Sequence, residues 1–289
     1  MKMSSGDKIF QFFLILFISL LCVSMIYPFI HVLSISFSTP VEARRLGVHI
    51  YPLETSLYAW QRVLGNSNIW IGLGNSVFRT IVGTLLSLVF MSMVAYPLSR
   101  KYLPHRSFYT MFIVFTMFFS GGLIPTYLLI KWLGLIDSRW VYIIPGLIST
   151  FSMLILRNFF MSIPDEIEDS AKIDGANDMR ILFGIVIPLS KPILATLALW
   201  GAVGHWNAWF DAVLYMQDNS KLVLQTFLRR LVITGEELQM IANPGKSEIG
   251  YGEPIKAATI MFTAFPILVF YPFLQKYFVK GIMVGSLKG

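Results

Sequence analysis

The sequence predicts an all-α membrane protein with six transmembrane helices, and two observations predict it: the composition and the placement of the charges. Of the 289 residues, 55% are hydrophobic and only 13% are charged, whereas a soluble domain carries about 25% charged residues. A soluble chain of this composition would expose large apolar patches. The charges also cluster, and the long runs between them match the roughly 20 apolar residues that a helix needs to cross the hydrocarbon core.

Six runs contain no Asp, Glu, Lys or Arg, and they locate the predicted helices: 9–41, 80–99, 107–130, 140–156, 192–210 and 257–275. From them we predict a single transmembrane domain over 1–289, with spans at about 9–35, 72–97, 107–130, 140–160, 190–213 and 257–278. The unbroken apolar stretch 12–17 does not alternate as the strands of an outer-membrane barrel do.

The first apolar run follows Lys2 and Lys8, as the apolar region of a secretory signal peptide would. It is long for such a region and no clear small-residue cleavage site follows it, so we expect a retained span. The single Cys22 excludes an intramolecular disulfide. The net charge of +7 fits basic residues at cytoplasmic helix ends, and we prefer this interpretation to nucleic-acid binding.

With the N-terminus inside, four segments are predicted to be cytoplasmic: 1–8, 98–106, 161–189 and 279–289. The external segments are then 36–71, 131–139 and 214–256. The short segment 98–106 carries Arg100, Lys101 and Arg106, in agreement with the positive-inside rule, although Lys131 and Arg139 lie in an external segment. The segment 214–256 is long enough to be functional or disordered, which makes it a candidate docking surface.

The polar segment 161–189 predicts a helix-turn-helix at the membrane surface. Ser162 with Asp165 three residues later forms a capping-box pattern, so we expect a short helix to begin near residue 163. The Asp-Gly pair that ends at Gly175 signals a turn, and Asn177 is suited to cap a second helix. A compact elbow of this kind could transmit force from a docked partner.

The spacing inside this segment carries a family resemblance. It contains Asp169-Ser170-Ala171, three residues, Gly175, nine residues, and then Ile185-x-Ile187-Pro188. This resembles the EAA loop of binding-protein-dependent ABC importer permeases, Glu-Ala-Ala, Gly and Ile-x-Leu-Pro at the same spacing. The departures are Asp169, Ser170 and Ile187. Residues 173–176, 188–192 and 206–210 and the tail 277–289 are similar to the maltose/oligosaccharide-type carbohydrate permeases, in their polysaccharide-fragment-associated subgroup.

The resemblance implies a permease subunit of an ATP-driven importer for saccharides, with oligosaccharides expected. In that family the loop fits a cleft on a cytoplasmic nucleotide-binding subunit, and closure of the paired ATPases switches the permeases from inward-open to outward-open. The ATPase-coupling residues implied here are Asp169, Ser170, Ala171, Gly175, Ile185 and Pro188. The implied ATPase-contacting tail residues are Leu287, Lys288 and Gly289. The loop and both termini are then cytoplasmic.

The implied partners are a second permease, usually a different chain, two ATPase subunits, and an extracytoplasmic solute-binding protein that delivers the saccharide. The chain has no Gly-x4-Gly-Lys-Ser/Thr phosphate loop. ATP and Mg are therefore expected on the partner ATPase, and we expect no cofactor in this chain. Its four histidines show no metal-ligand spacing and its spans no catalytic arrangement, so neither a metal site nor an enzyme is predicted.

A candidate substrate path lies in the fifth predicted span. At 100° per residue, four of its residues fall on one stripe, at offsets of 4, 7 and 11: Trp200, Gly204, Asn207 and Asp211. An aromatic ring and hydrogen-bonding groups suit a sugar, whose C–H faces stack on rings. The alternative is helix packing, since glycine permits close approach and tryptophans anchor helices at the membrane interface.

The second predicted span carries a stripe of small residues, for which helix packing is the preferred interpretation: Ser76, Thr80, Gly83 and Ser87. Arg79 in the same span is unusual, because charged side chains are rare in apolar segments. It either extends outward to the interface or pairs with an acid that the sequence does not identify.

Two other classes of function compete with the importer subunit. A self-sufficient secondary transporter or channel is the alternative kept here, although such proteins often show inverted repeats or broken helices with paired charges, and the sequence shows neither. A membrane enzyme is the other, and the missing catalytic arrangement argues against it.

Overall fold

A computed structural model describes residues 5–233 and 252–286, with side chains described over 6–233 and 252–269. Within these residues the chain is all helical, and the only extended pairing is an isolated antiparallel bridge between Ser38 and Thr55. The predicted tail residues Leu287, Lys288 and Gly289 lie outside the described residues, as does much of the segment 214–256.

The α-helices are numbered in chain order: α1 (Ser5–Ser36), α2 (Pro40–Ala43), α3 (Tyr58–Gly65), α4 (Ser67–Ser99), α5 (Arg106–Phe118), α6 (Leu123–Trp132), α7 (Thr150–Met161), α8 (Asp165–Ile173), α9 (Asp178–Ile181), α10 (Ile187–Leu189), α11 (Lys191–Asn207), α12 (Phe210–Tyr215), α13 (Leu224–Ile233) and α14 (Gly252–Ser286). Short 3₁₀ helices lie at Arg139–Tyr142, Ile144–Gly146 and Asn219–Lys221. A π turn at Leu182–Val186 joins α9 to α10.

Three of these helices are long and apolar enough to cross a membrane as single elements: α1, α4 and α14. Each exceeds the roughly 20 residues that a span requires. Large apolar side chains lie exposed along α1 from Ile9 to Leu33, as expected for a surface that contacts lipid or partner helices.

The other three predicted spans correspond to bent pairs rather than to continuous helices. The bends are 113° between α5 and α6, 52° between Arg139–Gly146 and α7, and 84° between Asp178–Leu189 and α11. Counting each pair as one span gives six. The first bend lies at Gly122, whose φ of +88° is readily adopted only by glycine, and prolines stand near the other two, at Pro145 and Pro192.

The chain divides into two compact units. The first contains residues 1–70 and 227–265. In it, the Trp60 ring stacks on Phe37 at 5.5 Å, and Trp60 Nε1 donates a hydrogen bond to Ser36 Oγ at 3.2 Å. The bridge at Ser38 and these contacts hold the segment that follows α1. Farther along the same unit, Trp70 packs edge-on against Phe262.

The second unit contains residues 71–226 and 266–289. Its core is built from the C-terminal half of α4, from α7 and α8, and from the stretch that leads into α11. The buried members are Met91, Ala95, Tyr96, Leu98, Met153, Leu156, Phe160, Ala171, Ile181, Leu182, Val186 and Leu197. The polar segment 161–189 therefore packs through its apolar residues onto the helices on either side of it in sequence.

Candidate functional site

The segment 161–189 contains two helical pieces joined at Gly175. Helix α8 ends in a Schellman motif: Ala176 N–H donates to Ala171 O at 2.9 Å, and Gly175 N–H donates to Lys172 O at 3.0 Å. Gly175 has φ +79°, in the left-handed region. A Cβ at this position would meet no atom within 4 Å, so the backbone conformation alone requires glycine there.

The second piece begins where the sequence predicts a cap. Asn177 Oδ1 accepts a hydrogen bond from Arg180 N–H at 2.9 Å, which confirms Asn177 as the N-cap of α9. The chain then forms the π turn, passes Pro188, and bends by 84° into α11. π turns are rare and occur mostly as single turns inside α-helices. Pro188, two residues after this one, cannot donate to the helical ladder.

The predicted capping box at the start of α8 is wrong. The helix begins at Asp165, with Pro164 as its N-cap and no side-chain cap. Ser162 Oγ instead donates to Phe159 O at 2.7 Å, at the end of α7. Ser162 therefore belongs to the end of one helix rather than to the start of the next.

The structure separates the motif residues into an exposed set and a packed set. Asp169, Ser170 and Gly175 are exposed, whereas Ala171 is 8% exposed and belongs to the core. Ile185 is half-buried against the same core and Pro188 is exposed. Four motif positions are thus exposed for contact with another molecule, and two fix the segment to the rest of the unit.

A buried ion cluster lies under α8, and the sequence does not predict it. Glu168 Oε2 lies 2.7 Å from Arg100 Nε, in a close ion pair whose N–H is not aimed at the oxygen. Glu168 Oε1 lies 2.8 Å from Lys172 Nζ and accepts a hydrogen bond from the Tyr102 hydroxyl at 3.2 Å. The Glu168 and Arg100 side chains are 6% and 4% exposed. The cluster joins α8 to the residues that follow α4.

The pKa values in this cluster follow from its charges. Burial acts to raise the pKa of Glu168, but the hydrogen bond from Lys172 and the charge of Arg100 bring it below its ordinary value. The same hydrogen bond, which Lys172 donates to Glu168, raises the pKa of Lys172. Burial and the Glu168 charge raise the pKa of Tyr102, so its hydroxyl stays a donor. The cluster is therefore ionised and paired at neutral pH.

An exposed ion pair lies beside the buried one. Lys101 Nζ is 3.2 Å from Asp165 Oδ2, and the two side chains are 84% and 62% exposed. Exposed pairs of this kind contribute little to stability. Adjacent residues, Arg100 and Lys101, therefore make a buried contact and an exposed contact to the same helix, and they form a matched pair for experiment.

The stripe predicted along the fifth span is broken before its last member. Helix α11 ends at Asn207, Ala208 is extended, and α12 begins at Phe210. Trp200, Gly204 and Asn207 lie exposed on α11 at the predicted spacing. Asp211 lies beyond the break, so its inclusion in a single helical stripe is wrong.

Asp211 is the acid that pairs with Arg79. Arg79 makes a bidentate contact to Asp211, with Nη1 at 3.0 Å from Oδ1 and Nη2 bonded to Oδ2. Arg79 Nη1 also donates to Ala208 O at 3.2 Å, and the guanidinium lies 4.8 Å from the centre of the Tyr142 ring. The side chain is 5% exposed. Arg79 thus pairs with an acid rather than extending to the interface.

The small residues of α4 permit contacts that support the packing interpretation. A Cβ at Gly83 would lie 2.7 Å from His205 Nε2 on α11. Ser76 Oγ accepts a hydrogen bond from Leu224 N–H at 2.9 Å, and Ser87 Oγ donates to Leu147 O at 2.7 Å. Their partners lie in α11, at the start of α13 and in the segment before α7, so the stripe contacts several parts of the unit rather than one helix.

A second set of contacts joins segments that we predict to be external. Asp137, at φ +57°, accepts hydrogen bonds from the N–H groups of Gln217 and Asp218 at 3.2 and 3.1 Å. Lys221 Nζ lies 2.7 Å from Asp137 Oδ2. The hydrogen bond from Lys221 holds the pKa of Asp137 below its ordinary value. Among the residues described, no group of three His, Cys, Asp or Glu could hold a metal ion.

In the described residues, long and bent apolar helices with a polar two-helix segment between two of them are the architecture of a multi-pass membrane protein. The chain belongs to the family of binding-protein-dependent transport system inner membrane components, which it matches over residues 69–284. It is therefore a multi-pass inner-membrane protein. Members of the family are the membrane subunits of ABC transporters and are not enzymes, because the ATPase is a separate subunit.

Relatives and a solved structure match the chain over nearly its whole length. It is 43% identical to the polygalacturonan/rhamnogalacturonan transport system permease protein YtcP of Bacillus subtilis, with all of both chains covered. It is 38% identical to the protein LplC of the same organism, over 100% of this chain and 98% of that one. A bacterial ABC transporter that imports the acidic polysaccharide alginate matches with a TM-score of 0.86 and 31% identity, over 96% and 99% of the two chains.

Proposed function

We propose that this chain is one of two permease subunits of a binding-protein-dependent importer for saccharides, with fragments of polysaccharides as the first candidates. The observation that carries the proposal is the segment 161–189, which has the motif spacing, the Gly175 turn and an exposed motif face. The other partners are two ATPase subunits, which bind ATP and Mg, and a solute-binding protein outside. The second permease is a different chain.

The exposed side chains of the segment support docking of the ATPase. Ile173, Met179 and Phe183 are 86%, 51% and 42% exposed, although they lie in a polar segment. Exposed apolar residues rimmed by polar ones mark protein interaction sites. Asp169 and Ser170 are exposed beside them and supply the polar rim. This face enters the ATPase cleft, while Ala171 and Ile185 hold the segment on the spans.

Contacts between segments support the proposed orientation. The ion pairs of Arg100 and Lys101 hold 98–106 against α8, so these two segments lie on one face of the membrane. The contacts of Asp137 hold 131–139 against residues 217–221, so these lie together as well. With 161–189 facing the ATPase in the cytoplasm, the first set is cytoplasmic, the second is external, and both termini are cytoplasmic.

The proposed sugar path follows the exposed residues of α11. Trp200 offers a ring face and stacks at its other side against Phe151, with ring centroids 6.5 Å apart. Gly204 leaves room beside it, and Asn207 offers an amide at the end of the helix. Asp211 shapes the break while it pairs with Arg79. The companion permease supplies the rest of the path.

The first experiment is gentle solubilisation of the tagged chain and identification of what co-purifies. A second permease and an ATPase in stable proportion support the proposal. Uptake is then measured in vesicles with the solute-binding protein and a panel of neutral and uronate-containing oligosaccharides. If the chain purifies alone and moves solute without ATP, a self-sufficient transporter or channel replaces the importer subunit.

The coupling role is tested with two substitutions at Gly175. Gly175→Val should abolish ATP-dependent uptake while the protein still inserts, because a β-branched residue does not adopt φ +79° without strain. Gly175→Asn is the matched control, since asparagine enters the left-handed region readily. Normal uptake and normal substrate-stimulated ATP hydrolysis in Gly175→Val would remove the coupling role.

A further inference from the structure

Helix α4 carries one buried arginine and is followed directly by another, and each contacts a different element of the second unit. Arg79 and Arg100 are both 4% exposed. They are 21 positions apart, Arg79 within α4 and Arg100 directly after its last residue. At a rise of 1.5 Å per residue the two positions are about 30 Å apart along the helix. This equals the thickness of the hydrocarbon core.

Arg100 contacts the candidate coupling segment at the C-terminal end of α4. Arg79 contacts the break in the candidate path from the middle of the helix. Arg100 pairs with Glu168 on α8, and its guanidinium lies 4.9 Å from the centre of the Tyr96 ring. Arg79 binds Ala208 O and Asp211, on the two sides of the break between α11 and α12. One uninterrupted helix therefore connects both places through ion pairs.

We propose that α4 is the rigid link that carries movement of α8 to the break in α11, with Arg100 and Arg79 as its two positioning residues. The proposal rests on the coupling function proposed above and adds the route by which coupling reaches the path. Glu168 is the acid through which α8 moves α4, and Asp211 is the acid through which α4 moves the break.

Buried ion pairs suit this task better than apolar contacts do. Separating a buried pair leaves an uncompensated charge in a medium of low dielectric, so the partners stay joined when either element moves. Apolar surfaces can slide past one another with little loss of contact area. In the described part of the second unit, the nearly buried arginines that make ion pairs are Arg79, in the middle of α4, and Arg100, directly after its last residue.

A direct test measures whether ATP changes the environment of the break. Val213 on α12 is 50% exposed, and Val213→Cys is introduced into a Cys22→Ser background. The complete importer, with the second permease and ATPases, is reconstituted in vesicles. The rate at which a maleimide modifies Val213→Cys is read on this chain after gel separation, without nucleotide and with ATP trapped by vanadate.

In the parent, the rate of maleimide modification without nucleotide should differ from the rate with trapped ATP. Glu168→Gln should reduce this difference about fivefold or more, because about fivefold is the lower end of typical coupling between two sites. Asp211→Asn should give the same loss, because it removes the acid that pairs with Arg79. Co-purification of the ATPase should remain normal in both. Lys101→Gln is the matched control, because Lys101 makes an exposed pair to the same helix, and it should behave as the parent.

The double variant Arg100→Gln with Glu168→Gln separates coupling from a merely structural role. It removes both buried charges together and leaves unpaired only Lys172, whose side chain is 39% exposed. A structural role therefore predicts that the ATP-dependent difference returns, whereas the proposal predicts that it stays lost. Arg100→Lys keeps the charge and should retain more of the difference than Arg100→Gln. A parent-like response in Glu168→Gln, in Asp211→Asn or in the double variant overturns the link. A parent that binds no ATPase overturns the proposed function instead.

Discussion

Removal of the Asp211 carboxylate should destabilise the protein before it changes any substrate preference. Asp211→Ala leaves the Arg79 guanidinium, 5% exposed, without its acid. Breaking a buried ion pair costs about 3–5 kcal/mol. Asp211 is 25% exposed, and Ala208 O and the Tyr142 ring still contact the guanidinium. We therefore expect the free energy of unfolding to fall by the lower end of this range, about 3 kcal/mol.

The assay is thermal unfolding of the purified chain in detergent. At about 2 °C per kcal/mol for a chain of this size, the midpoint should fall by about 6 °C. Asp218→Ala is the matched control, because Asp218 is 46% exposed and lies 3.8 Å from Lys221. The double variant Arg79→Gln with Asp211→Asn should recover part of the loss. Equal midpoints for Asp211→Ala and Asp218→Ala would refute the reasoning.

Three further predictions concern close contacts and charges elsewhere in the second unit. Gly83→Ala should lower the free energy of unfolding by about 1–3 kcal/mol, because the added Cβ would lie 2.7 Å from His205 Nε2. The midpoint of thermal unfolding measures this loss. Stability contributed by Glu168, whose pKa is lowered, should be complete at neutral pH and lost as pH falls below about 4. Asp137→Ala should cost about 1–2 kcal/mol, since alanine avoids φ +57°.

Each of these predictions has a matched control. Gly74→Ala adds a methyl group that meets nothing within 4 Å, so a midpoint lowered as much as in Gly83→Ala contradicts the steric argument. Glu168→Gln should differ from the parent at pH 7 and converge with it on acidification, and a constant difference contradicts the pKa argument. Asp137→Asn tolerates the left-handed backbone and should cost less than Asp137→Ala.

The sequence predicts the helical class well, because charge-free runs report directly on the solvent that surrounds each helix. It also identifies Gly175 and Asn177 correctly, since a left-handed turn and an N-cap depend on local residues. Local signals are weaker where two helices adjoin. Ser162 shows this, because the same hydroxyl can serve the end of α7 or the start of α8, and the structure has the former.

The breaks in the apolar spans are harder to predict. In the charge-free run 107–130, the local signals for a bend of 113° are the pair of glycines at 121–122 and Pro125. Glycine and proline are both frequent in membrane helices, so these signals do not by themselves predict a break. The stripe that includes Asp211 presumes an uninterrupted helix. It fails because the chain leaves the helical ladder at Ala208, although no proline or glycine stands there.

The sequence predicts only some of the partners of the buried charges. Glu168 and Lys172 are four residues apart on a helix, a spacing that favours an ion pair, so half of that cluster could have been found. From the sequence, Arg100 indicates only the topology of the segment 98–106. Its contact to Glu168 is not predicted, because the two residues are 68 positions apart in the chain. The acid that pairs with Arg79 is Asp211, and the sequence does not identify it because the two residues are far apart in the chain.

The break in α11 and the buried Arg79 explain one another. In a continuous helix, Ala208 O would accept a hydrogen bond from Ala212 N–H. Here Ala208 O accepts from Arg79 Nη1 at 3.2 Å, and Ala212 N–H donates to Asp211 Oδ1 at 2.9 Å. Two backbone groups that the break would leave unpaired in an apolar region are thus satisfied by the two charged side chains. A continuous α11 would remove an acceptor from Arg79, so the ion pair favours the broken conformation.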